Sequence, residues 1–210
     1  LEVNTTGNNN VALGDEALVA NTTANDNVAI GRQALTAETT GANNVAIGSN
    51  SLQTITTGTS NVGIGFWALK TSTASNNTAI GFKALTANTT GANNTAVGLN
   101  ALVNNTTGAT NTCVGDSSLY ANTTGSNNVA VGLNALTANT TASSNTAVGV
   151  SALSVNTTGH SNLALGHQSA LSNTTGNYNV SVGMYSADAN TTGSENTSIG
   201  YGALSSVTTS

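Results

Sequence analysis

Branched aliphatic residues recur along this chain at a fixed interval, and each stands directly before a glycine. The glycines are Gly14, Gly31, Gly48, Gly65, Gly81, Gly98, Gly115, Gly132, Gly149, Gly166, Gly183 and Gly200; ten of the eleven intervals are 17 residues and one, Gly65 to Gly81, is 16. The residue before each glycine is Val, Ile or Leu, the one before that is small (Ala, Ser, Gly63 or Cys113), and the next is Val, Thr or Leu163. Branched residues on one face and small ones on the other make a period-two pattern, which predicts a short β-strand. Four residues before each glycine stands an asparagine: Asn10, Asn27, Asn44, Asn61, Asn77, Asn94, Asn111, Asn128, Asn145, Asn162, Asn179 and Asn196. The glycine either supplies a backbone conformation closed to side chains or lets a neighbouring chain approach. Two free positions follow, then usually Ala-Leu, as in Ala34-Leu35, a candidate second strand. A turn closes the unit, usually Asn-Thr-Thr-Gly, as in Asn88 to Gly91.

Each unit thus reads strand, tight turn, strand, tight turn, and a fixed period of this length marks a repeat architecture. The expected fold is all-β: a parallel β-solenoid, a narrow two-sided β-roll of about twelve coils of 17 residues. At about 4.8 Å per coil, it would make a rod on the order of 57 Å long. Helix is disfavoured, because Gly, Asn and Thr each oppose it by roughly 0.5–1 kcal/mol per residue. Residues 1–210 read as one continuous array. No atypical capping unit stands at either end and Thr208-Thr209 opens a further unit, so the expectation is an excerpt from a longer array.

Stacking sets identical residues above one another. The asparagine column is expected to form a ladder of side-chain hydrogen bonds that serves the stack, in preference to a ligand site. The strand faces leave two alternatives open. With the aliphatic column inside, no partner is required. With the small column inside, twelve aliphatics face water, forgoing about 1.5–3 kcal/mol each; that stripe demands a cover, which predicts a symmetric oligomer.

Composition then narrows the functions. Aromatic residues are 3% of the chain and charged residues 5%, so a conventional globular core is not expected. Three basic residues (Arg32, Lys70, Lys83) against eight acids give no footprint for nucleic acid and no attraction to an anionic membrane. No apolar run approaches the roughly 18 residues of a membrane helix, so no membrane insertion is expected in this segment. Cys113 is the one cysteine and cannot form an intrachain disulfide. The glycines precede no helix, so no phosphate loop is implied. Asp15-Glu16 and Asp116 are too sparse for a metal site, and no cofactor is expected.

The unit Asn-Val-Ala-Ile-Gly, as in Asn27 to Gly31 and Asn44 to Gly48, resembles the head repeat of trimeric autotransporter adhesins. The match covers essentially the whole chain at five positions per repeat. It implies a left-handed parallel β-roll, assembly of three chains into one shaft, and an extracellular or cell-surface location. The chain departs from that pattern in its longer period and its Asn-Thr-Thr-Gly turn, and it carries no stalk heptads or membrane anchor.

The twelve copies also act as an internal control, because positions that wander are free of the demands of stacking. The freest are the two after the strand glycine, which hold five of the seven aromatics. Phe66, Trp67 and Phe82 flank the 16-residue unit there and form a candidate contact patch; the competing reading is that they fill a gap left by the missing residue. His160 and His167 lack a neighbouring acid and read as solvated. Asn-Thr-Thr is also a glycosylation sequon, at Asn4, Asn21, Asn88, Asn105, Asn122, Asn139, Asn156, Asn173 and Asn190, although turn chemistry accounts for the same residues.

The function expected is a structural or adhesive extracellular fibre segment, a rigid rod without catalysis. It would self-associate as a homotrimer, with end-to-end filaments as an extension, and meet a surface receptor or glycan. The alternative is an ice-binding solenoid using its threonine column, although only one threonine of each adjacent pair can face outward. A carbohydrate-active enzyme ranks lowest, because it would need a carboxylate pair in a groove and Asp116 and Asp188 stand far apart.

Overall fold

A computed structural model describes residues 1–209. In each repeat the branched–small–branched triplet forms a three-residue strand, from β1 (Val11–Leu13) and β2 (Val28–Ile30) through β4 (Val62–Ile64) and β5 (Thr78–Ile80) to β12 (Thr197–Ile199). The twelve strands lie in sequence order in one parallel sheet, giving a β-solenoid of about eleven turns without a helix among the described residues. Like pairs with like: Val28 faces Val45, Ala29 faces Ala46, Ile30 faces Ile47. Each strand bonds in both directions along the axis, with Val28 N–H donating to Asn44 O at 2.9 Å and Gly31 N–H to Leu13 O at 2.8 Å. A parallel pair needs a crossover of about a dozen residues or more, and here the rest of each coil supplies it.

The second strand expected at Ala34-Leu35 does not form. Ala34 N–H donates back to Gly31 O, a turn, and Leu35 has φ 50°. That left-handed conformation is disfavoured by roughly 1–2 kcal/mol for an L-residue. Full burial of the leucine side chain offsets this with about 1.5–3 kcal/mol; Leu35, Leu52, Leu69 and Leu102 all have no exposed surface. Alternation of ordinary and left-handed residues also aims the amides along the axis, so Gln33 N–H reaches Asp15 O in the coil before and Leu35 N–H reaches Ser51 O in the coil after. The wall opposite the sheet is therefore a stack of hydrogen-bonded turns, and the solenoid has one sheet instead of two.

The interior settles which strand face is inside. Ala29, Ala46, Ala96, Cys113 and Ala130 are fully buried, while the branched residues on either side of them point outward. The space between sheet and leucine wall is one small side chain deep: a Cβ added at Gly63 would lie 2.6 Å from Ser51 Oγ and 3.1 Å from Leu52 Cγ. Where the interior turns polar it pairs across this gap, Ser169 Oγ donating to Ser181 O and Ser186 Oγ to Ser198 O. Burial pushes the Cys113 thiol up to about 12, which leaves it unreactive. The strand glycine meets both expectations at once: Gly31 has φ 131°, and a Cβ there would stand 2.7 Å from the backbone of Gly48.

Candidate functional site

The strand asparagines are buried from Asn27 to Asn179. Each Oδ1 accepts the backbone N–H of the next asparagine in the column, as Asn27 does from Asn44 at 2.9 Å. Each Nδ2 donates to a turn carbonyl of the following coil, Asn27 to Gly41 O and Asn94 to Gly108 O, both at 2.9 Å. Direct amide-to-amide bonds supplement this at Asn61–Asn44 and Asn111–Asn94. At the ends, Asn10 Oδ1 accepts from Asn27 N–H and Asn196 N–H donates to Asn179 Oδ1. The column ties sheet to turn, and its polar atoms point into the stack.

A second ladder runs through the turn asparagines, which sequence reasoning assigned only to local turn chemistry. Asn105 Nδ2 donates to Asn88 Oδ1 at 2.8 Å and to Gly108 O at 2.9 Å, and its Oδ1 accepts from Asn122 Nδ2 at 2.8 Å. The same bonds continue through Asn139, Asn156 and Asn173. The signal is the fixed offset from the strand glycine, which marks a column here as it does in the strand. Three coils interrupt it with Glu38, Ile55 and Ser72, and Glu38 and Ile55 are fully buried too.

The Thr-Thr pairs divide their labour. The first threonine donates its hydroxyl to the next coil, as Thr106 Oγ1 does to Thr123 O at 3.0 Å. The second, as at Thr107, Thr124 and Thr141, is exposed and forms a single file.

Phe66, Trp67 and Phe82 come together on the edge of the rod beside the sheet. Phe66 stacks on Trp67 with centroids 4.9 Å apart and on Phe82 at 5.6 Å. Lys70 Nζ lies 4.3 Å from the Trp67 centroid and Lys83 Nζ lies 5.2 Å from it, so two of the chain's three basic groups join the aromatic cluster. Lys83 directly follows Phe82 at the free positions after the strand glycine, whereas Lys70 is contributed from three residues past Trp67, around the corner of the coil, and is added by the structure. The missing residue of the short coil lies elsewhere. Around the rings the bonding is regular, with Lys83 N–H to Phe66 O at 2.9 Å and Leu69 N–H to Ala84 O at 2.9 Å. The register of β4 on β5 is likewise intact. The shortening falls in the turn at Ser72–Ala74, where the second threonine is absent and Ser72 Oγ accepts from Ala74 N–H and Asn88 Nδ2. The rings therefore do not fill the gap.

His160 meets the edge of Tyr178 at 5.0 Å, and His167 meets Tyr185 at 5.4 Å, with no carboxylate in either contact. Among the described residues there is no group of three or more His, Cys, Asp or Glu side chains placed to hold a metal, no concave pocket, and no helix long and apolar enough to cross a membrane. Comparison with known protein families, with curated proteins and with solved structures gives no match to this chain.

Proposed function

We propose that this chain is a segment of a structural and adhesive extracellular fibre, a rigid rod that carries surface attachment or display. In this reading, its coils wind left-handed and three copies associate through the sheet. One observation carries the proposal: the outer face of the sheet is a continuous uncharged surface of Val, Ile, Leu and Thr, without a covering element. Ile47, Val114 and Val148 in mid-rod keep 36–39% of their surface exposed. An apolar stripe of this length exceeds what an isolated soluble chain usually presents. A second copy offers the same face at the same spacing, which suits a closed symmetric assembly.

Light scattering on the segment tests this. The expected mass is three chains of 20.6 kDa, about 62 kDa, held on dilution to nanomolar concentration. A mass of 20.6 kDa would overturn the trimer and turn attention to the exposed threonine file. Thermal hysteresis in freezing buffer would then test the ice-binding alternative.

A further inference from the structure

We infer that the edge formed by Phe66, Trp67, Lys70, Phe82 and Lys83 is a binding site for an acidic polysaccharide, a carboxylated sugar polymer lying along the rod. The inference rests on the adhesive reading of the fibre and names what the fibre would adhere to.

Stacking does not dictate these residues. The positions held by Phe66, Trp67 and Lys70 are Ser49, Asn50 and Gln53 one coil earlier, on the same backbone. Nor does the short coil require them, since its missing residue lies in the turn beyond Ser72. Phe66 and Phe82 keep 39% and 44% of their surface exposed although three rings are gathered in one place. Two ammonium groups converge on Trp67, and no Asp or Glu occurs between Glu38 and Asp116 to balance them. Their repulsion is met by aromatic rings alone, Trp67 for both and Phe82, 5.2 Å away, for Lys83. In a chain of net charge −5 this is a local reversal of sign, and an anion is the complement that relieves it.

The charge count limits the kind of anion. Nucleic acid carries a phosphate at every step and is bound by tracks of many cations; two lysines on an acidic rod would not hold it. A uronic-acid polymer is less densely charged and presents apolar C–H surface between its carboxylates. The ammonium pair takes a carboxylate, the exposed aromatic surface of Phe66 and Phe82 takes the C–H surface, and the amides of Asn50 and Gln33, already bonded to each other at 2.8 Å in the adjoining coils, border the site with polar groups. An open edge without a pocket admits an extended polymer, which can run past several coils.

The test uses the whole chain and polygalacturonate as probe, with neutral dextran and single-stranded DNA as comparisons, read by affinity electrophoresis. Replacements are drawn from other coils, so each is already compatible with its position: Lys70→Thr with Lys83→Asn, and Phe66→Ser with Trp67→Asn and Phe82→Leu. The expected result is retardation by polygalacturonate alone, weakened at least tenfold in both variants while their mass and melting temperature stay at the wild-type values. No retardation of the wild type, retardation of either variant equal to that of the wild type, or retardation by DNA as strong as by the polyuronate would overturn the site. Light scattering on the same samples keeps the two proposals apart: an assembly of three chains without binding removes the site and leaves the fibre, and binding by a single chain does the reverse.

Discussion

Glu38 is the one charged side chain in the interior among the described residues, and it stands at the position where Asn21 in the coil before, and most other coils, hold an asparagine amide. Its Oε1 takes over the asparagine's acceptor role toward Gly41 N–H, and Asn44 Nδ2 lies 3.3 Å from Oε2. The donor role is left unfilled: Asn21 Oδ1, which the ladder would pair with the residue at 38, is buried without a partner, and Ile55 on the other side offers nothing. A protonated carboxyl restores that donor. Burial raises the Glu38 pKa from 4.5 to about 7, opposed by the amides of Gly41, Thr39 and Thr40. Because the folded value lies above the unfolded one, the folded state holds the proton more tightly. Stability from this group is full below about pH 4.5 and is lost as pH rises toward and through about 7. Denaturant titrations should show that decline, and Glu38→Gln should flatten it, leaving the variant more stable than wild type at pH 8 by about 1–3 kcal/mol. A complete ladder rung is the contrasting case. Asn105→Ala removes three hydrogen bonds and orphans buried partners at about 1–3 kcal/mol each, whereas Thr107→Ala on the exposed file should fall within about 0.5 kcal/mol of wild type.

At the scale of the coil, the strand was legible and its opposite wall was not. The alternation of branched and small residues marked the strand at every copy, because a pleat turns successive side chains to opposite faces. It could not say which face was inside; the leucine wall decides that by leaving room for one small residue, as Gly63 against Leu52 shows. Ala34-Leu35 looked like a strand because leucine is a poor candidate for φ near 50°, and only tertiary burial compensates for that strain. The candidate contact residues Phe66, Trp67 and Phe82, with Lys83 beside Phe82, were readable as departures from a repeat, but Lys70 needed the path of the coil. The short coil carries its own prediction. Because Ser72–Ala74 drops a turn threonine without disturbing β4 and β5, deletion of Thr124 combined with Asn122→Ser should yield a folded, in-register rod by circular dichroism. Deletion of Ala130 from its strand would turn the pattern inside out and should prevent folding. The sequons gain a different reading at this scale. The turn amides that would carry glycans are hydrogen-bonded donors inside the stack, as at Asn105, Asn122 and Asn139. Folded protein recovered from a glycosylating secretory host should therefore show no added sugar mass at these three asparagines.

At the scale of the whole molecule, each strand pairs only with the one before and the one after, so stability is a sum of coil terms and neighbour terms. The strand and turn ladders all run parallel to the rod. A load applied to its two ends therefore pulls the inter-coil hydrogen bonds apart lengthwise, one rung at a time, instead of shearing a whole sheet at once. A freed coil of 17 residues can extend to on the order of 55 Å, against the roughly 4.8 Å it spans when stacked. The rod would lengthen about elevenfold as it yields, each step dissipating the work of one rung. Pulled between two handles, the chain should give a sawtooth of near-equal increments of about 50 Å, with the increment for the coil from Gly65 to Gly81 one residue shorter. In the proposed fibre, such a stack would act as a load limiter: it would extend under a jolt before an attachment at its end is torn loose.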